Sequence, residues 1–201
     1  MDKIYGKDTY EKPFDRFLKR NYKEPLVGVE IGVETGFHAK NLLDTISNIS
    51  KLYLIDPYEE YQDDRILRSY ASVKPSYLKF KENLKSFPKE KVVFIKKKSL
   101  ESLDEIPNKI DFVYIDGNHS YDVVKAEIDA YYKKLKIGGL LGGDEWQYSR
   151  FPGVTRAINE FIDENNLKFH TEPYKVFTGK TSSGFIIDND WWVIKNEINK
   201  K

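Results

Sequence analysis

The sequence predicts a doubly wound α/β fold: a mostly parallel sheet of about seven strands, helices on both faces, and an antiparallel hairpin from the C-terminal segment at one edge. Three observations carry the parallel part of this sheet and its helices. Residues 26–31, Leu-Val-Gly-Val-Glu-Ile, form an apolar, β-branched run of the kind buried on both faces of a parallel sheet. That run passes through Gly32 and Gly36 into a helical stretch at residues 37–43. Further apolar runs end in Asp56, Asp116 and Asp144, and helical segments separate them, which is the alternation expected of βαβ units.

At 201 residues the chain suits one domain with a proper core, so residues 1–201 read as a single unit. Near-equal basic and acidic residues leave a net charge of +1, and no nucleic-acid partner is expected. Lys96, Lys97 and Lys98 read as a solvated strand end. The absence of cysteine excludes a thiolate nucleophile, a disulfide framework and a cysteine zinc site. No signal-peptide core or membrane-length apolar run is present, so the expected location is cytoplasmic, with no membrane partner.

The first 24 residues are polar, with Tyr5, Tyr10, Phe14, Phe17 and Leu18 at helical spacing and Asp8 or Thr9 as caps. This segment is either a helix packed on the sheet or a lid over the ligand. After the first βα unit, residues 50–55 form a second strand ending in Asp56. Residues 61–87 carry apolar side chains at helical spacing, and Pro75 predicts two helical pieces or a kink. Val92–Ile95 is a third strand, followed by Ser99 and Leu100. Residues 110–115 form a fourth, followed by Asp116-Gly117-Asn118-His119 and a helix over residues 122–134. Residues 135–146 read as a turn, a fifth strand and the acidic pair Asp144-Glu145 before Trp146. A helix follows Pro152, and residues 169–178, 183–187 and 191–194 supply the last strands.

The glycine loop is acidic. Glu30 and Glu34 flank Gly32, and a pyrophosphate there would meet two carboxylates. A ligand bearing an ammonium and a sulfonium suits them better, and S-adenosylmethionine (SAM) has both. Asp56 lies 20 residues after Gly36, the distance at which an acid ending the second strand of such sheets holds ribose hydroxyls; a turn residue before Pro57 is the alternative. The pattern Glu-x-Gly-x-x-x-Gly resembles motif I of the class I SAM-dependent methyltransferases. Ile-Asp-Gly-x-His-Ser-Tyr, a helix, then Leu-Lys-x-Gly-Gly and a strand ending in acid resembles their small-molecule O-methyltransferase branch, which includes the cephalosporin hydroxylase-like and macrocin O-methyltransferase-like proteins. The likeness covers residues 26–194. Two departures are Glu145, where a second Asp or an aromatic is common, and Asn118, where some relatives carry an Asp proposed as a base.

The resemblance implies a Rossmann-like domain that transfers a methyl group from SAM to a hydroxyl of a small acceptor, such as a sugar or natural product. It assigns cofactor binding to Glu30, Gly32, Val33, Gly36, Asp56, Ser99 and Leu100, together with Asp116, Gly117 and His119. Asp116, Asp144 and Glu145 could hold a divalent cation, Mg2+, through oxygen ligands, as acids at these strand ends do in related metal-dependent O-methyltransferases. His119 and Asp116 are the candidate catalytic residues, with a polar turn role open for His119. Trp146, Tyr148 and Tyr121 are candidates to line the acceptor site, while His38 and His170 read as structural. Three readings stay open: the methyltransferase, a nicotinamide-dependent oxidoreductase on a similar sheet, and a methyltransferase-like module that binds without turnover. Homo-oligomer formation is left open as well.

Overall fold

The computed structural model describes residues 12–62, 67–68, 70–147, 151–175 and 187–198. Seven strands form the main sheet: β1 (Leu26–Ile31), β2 (Ile49–Ile55), β3 (Val92–Ile95), β4 (Ile110–Ile115), β5 (Leu135–Gly143), β6 (Leu167–Lys175) and β7 (Ile187–Ile198). Their spatial order is β3-β2-β1-β4-β5-β7-β6. Neighbours from β3 to β5 pair in parallel, and β7 runs antiparallel to both β5 and β6. The strand order reverses at β1, so the exits of β1 and β4 form the crevice where such sheets take ligands.

Alternate side chains of the central strands enter two cores, as the pleat demands. Val29, Ile31, Val113 and Ile115 face α4 (Tyr121–Lys134) and α5 (Pro152–Asn165). Phe112 and Tyr114 enter the opposite core with α1 (Pro13–Asn21), α2 (Phe37–Thr45) and α3 (Tyr70–Leu84). The described part of the N-terminal segment is therefore a helix packed on the sheet, with Pro13 in its first turn and Phe14 and Leu18 fully buried. Tyr5, Tyr10 and the expected caps Asp8 and Thr9 lie outside the described residues.

Three elements differ from the sequence reading. One helix, α3, runs through Pro75 in place of two pieces, and there the missing N–H forfeits the bond to the carbonyl of Ala71. Upstream of it, Tyr61–Gln62 and Leu67–Arg68 pair as a short antiparallel ribbon instead of a first helical piece. The turn expected after α4 is absorbed into β5, whose register against β4 jumps from Ile110↔Leu135 to Phe112↔Leu140 across Gly138 at φ +76°. Pro173 sits in β6, an edge strand, where its missing donor is tolerated. No described helix is long and apolar enough to cross a membrane.

Candidate active site

The loop after β1 turns sharply at Gly32, whose φ is +82° and where a Cβ would collide with the Asp116 carbonyl. Only glycine lets this backbone cross so close to the exit of β4. Gly36, at φ +69°, caps α2. Between them, the amides of Val33 and Glu34 donate to one oxygen of Asp56 at 3.1 and 3.0 Å, and the Tyr58 amide donates to the other at 2.8 Å. Asp56 is 1% exposed. Its carboxylate thus holds the loop in shape from beneath, a role the spacing argument did not reveal.

Glu30 is buried, with Oε1 3.5 Å from His38 Nδ1 and Oε2 without a hydrogen-bond partner. His38 Nε2 meets Asp15 of α1 at 3.1 Å. Burial opposes a charge on the imidazole, but Asp15 and Glu30 outweigh it and raise the group to about 10. His38 therefore has two carboxylate partners, and as a cation it joins α1 to β1, a structural role. Beyond β3, a short 3-10 helix, Ser99–Glu105, begins with Ser99 donating to the Glu127 carboxylate of α4 at 2.5 Å. Burial pushes Glu127 up to about 7 against that hydrogen bond. Leu100 remains 42% exposed beside it.

A shallow cleft opens where β4 and β5 end, with Asp116, Gly117, His119, Asp144, Glu145 and Trp191 in its wall. His119 stacks on Phe151, ring centroids 4.1 Å apart, and its Nε2 is paired with the Glu145 carboxylate. Burial, aided by Asp144 and Glu145, pushes Asp116 up to about 7 against the pull of Lys12. Asn118 accepts the Ser120 amide at 2.8 Å and shapes the turn into α4. Trp191, far along the chain, supplies an aromatic wall that local patterning did not single out. Tyr121 instead donates to Glu160 at 2.6 Å, and the Trp146 indole donates to Asn159 at 3.2 Å, so both are tied to α5. Tyr148 lies outside the described residues.

The metal expectation is corrected here. Lys12, the residue before α1, donates from Nζ to Asp144 Oδ2 at 2.5 Å and to Tyr114 Oη at 2.5 Å, and lies 3.7 Å from Asp116 Oδ2. The other Asp144 oxygen accepts the Glu145 amide at 2.7 Å, while the Glu145 carboxylate is held by His119. With Asp144 and Glu145 committed in this way, the three acids do not fit a divalent ion. Among the described residues, no group of three or more histidines or carboxylates is placed to hold one. Burial disfavours the Lys12 charge, but Asp144, Tyr114, Asp116 and Asp190 more than restore it and raise the amine well above its usual range.

Comparison with known proteins agrees with this geometry. A family described as a methyltransferase domain matches residues 29–146, more than half of the chain and the whole span from the glycine loop to the acidic pair. The chain belongs to this family. An uncharacterised protein of Acanthamoeba polyphaga mimivirus is 29% identical over 160 residues, covering 76% of this chain and 66% of that protein, so the chain spans just under two thirds of that relative. Among solved structures, a precorrin-6y C5,15-methyltransferase from Geobacter metallireducens superposes with a TM-score of 0.64 at 17% identity, over 94% of this chain and 92% of that one. An O-methyltransferase from Bacillus cereus in complex with SAH gives 0.62 at 14% identity, over 94% and 84%. The chain thus carries a methyltransferase domain by family, and its seven-stranded sheet has the fold of these solved methyltransferases.

Proposed function

We propose that this methyltransferase acts on a hydroxyl of a small molecule, such as a sugar or natural product. The observation that carries this reading is the cleft at the ends of β4 and β5, where the His119–Glu145 pair and Asp116 share one wall. A hydroxyl acceptor must lose a proton as it is methylated, so its enzyme benefits from a positioned proton acceptor.

SAM would lie across the crevice between the loop at residues 32–36 and the turn at residues 116–119. Gly32 and Gly36 allow its close approach, and Val33 belongs to the loop that Asp56 holds in place. The unpartnered Oε2 of Glu30 is an acceptor suited to the ammonium of the methionine portion. Ser99, the exposed Leu100 and Gly117 would border the adenosine end. When bound, SAM supplies a methyl group on a positively charged sulfur, open to in-line attack.

A neutral His119 that keeps its proton on Nε2, the nitrogen nearest the Glu145 carboxylate, carries its lone pair on Nδ1. In the proposed step the acceptor oxygen would give up its proton to His119 as it bonds to the methyl carbon, the electron pair of the carbon–sulfur bond would leave with the sulfur as a neutral thioether, and Glu145 would stabilise the imidazolium that results. Asp116, in the same wall, adds negative charge that favours the protonated ring. Expulsion of water by the acceptor would strengthen both effects. The test is transfer of labelled methyl from SAM to panels of hydroxylated and amine acceptors. Label on a hydroxyl, reduced ~100-fold or more in His119→Ala, is expected. Labelling confined to amines, or undiminished in that variant, would overturn the assignment.

A further inference from the structure

Four acidic or phenolic groups surround Lys12. Asp144 and Tyr114 accept its hydrogen bonds, Asp116 lies 3.7 Å away, and Asp190 accepts from Tyr114 at 3.0 Å. The Lys12 side chain is 6% exposed. An unpaired charge so deep in a protein is costly, and so are carboxylates gathered without a cation. Lys12 resolves both at once.

Its position is built into the fold. Pro13 starts α1 directly after Lys12, and the Phe14 amide donates to Asp190 at 2.9 Å. The Phe14 ring lies against β5 at Gly142, where a Cβ would come within 2.7 Å of the ring. Phe14 also packs edge-on against Tyr114, with ring centroids 5.1 Å apart. The helix N-terminus is thus anchored through backbone, ring and strand, and the lysine stem has one direction left to take.

We propose that the Lys12 ammonium is the resident cation of this centre, standing between Asp116 and Asp144 where a divalent ion would otherwise bridge them. Lys12 is then a positioning residue. It neutralises Asp144 in the floor of the cleft and leaves Asp116 and the His119–Glu145 pair to face the acceptor. Its catalytic meaning rests on the cleft being the acceptor site, but its electrostatic meaning does not. Removing the lysine side chain should convert the place it fills into an ordinary oxygen-ligand cation site.

Binding of Mn2+ to the full chain, followed by electron paramagnetic resonance and calorimetry, tests this. The wild-type protein is expected to show no saturable Mn2+ site that depends on Asp144. Lys12→Ala, which leaves room for a hydrated ion, should gain one site, at least about tenfold tighter than any binding to wild type because a like charge has been removed. The site should vanish in Lys12→Ala/Asp144→Asn. If Lys12→Ala folds only when Mn2+ is added, that too supports the proposal. Should it fail to fold in either condition, Lys12→Gln, which keeps a donor for Asp144 and Tyr114, is measured with the same expectation. An Asp144-dependent site in wild type, or no gain in a folded Lys12 variant, would overturn it. The wild-type measurement alone decides if neither variant folds. Gain of the Mn2+ site without methyl transfer to any acceptor would refute the proposed function and leave the role of Lys12 standing.

Discussion

Asp56→Ala separates two roles for the acid that ends β2. In the structure this carboxylate accepts three backbone amides, from Val33, Glu34 and Tyr58, and is 1% exposed. Hydrogen bonds to a charged acceptor are worth about 1.5–3 kcal/mol each, and their effects overlap when they share one group, so losing all three should cost about 3–6 kcal/mol. For a domain of this length, each kcal/mol lowers Tm by about 2–4 °C, so a drop on the order of 10 °C is expected. Asp56→Asn keeps one carbonyl oxygen and turns an NH2 group toward the remaining amides, so it should lose a large part of the same stability. Calorimetry with SAM, run below the variants' melting temperatures, should show affinity reduced at least ~tenfold, because the loop no longer holds its shape. Hydrogen exchange at the three amides should accelerate in parallel. An Asp56→Ala protein with unchanged Tm and unchanged protection, but weakened SAM binding, would refute this reasoning. It would return Asp56 to a direct ribose contact.

Other outcomes follow from the same network. His38 has a folded value near 10 against an ordinary 6.5, so its contribution to stability is complete below about pH 6.5 and disappears as pH rises through 10. That shift corresponds to about 4–5 kcal/mol, and Tm should fall between pH 7 and 10 in wild type but much less in His38→Asn. Glu145→Gln should leave SAM affinity unchanged, reduce kcat ~tenfold or more, and move the acid limb of the pH–rate profile downward, because the imidazole loses its carboxylate partner.

Much of the sheet was legible because its signals are local. β-branched runs that end in acid reveal themselves within six or seven residues, and the observed strand order places β1 beside β4 at the reversal where such sheets take ligands. The C-terminal hairpin was expected from the resemblance to the methyltransferase sheet, since Trp191-Trp192-Val193-Ile194 is a continuous apolar run that by itself does not fix strand direction. The site's counter-charges were not legible in the same way. Lys12 meets Tyr114 and Asp144 at separations of 102 and 132 residues, so no window of sequence contains the contact. One clue existed: several acids at the strand ends demand a cation, and the chain has a lysine placed just before a proline-started helix. The magnesium expectation answered the same demand, for which the described residues place Lys12 beside Asp144. His38 was passed over for a similar reason, since Asp15 and Glu30 flank it only once α1 has docked. Pro75 left a broken helix and a bent one both open, because packing outside the local window decides whether a helix survives the loss of one bond.

The most direct test of the central claim is equilibrium binding of SAM, measured by calorimetry on the wild-type chain beside Gly32→Val. Saturable binding at one site per chain is expected for SAM and for its demethylated product, with none for NAD. The valine should abolish it while the far-ultraviolet circular dichroism is retained, since its Cβ would enter the space where the loop crosses Asp116. Wild-type protein that binds no SAM, or a folded Gly32→Val protein that binds it as well as wild type, would contradict the placement of methyl transfer at this loop.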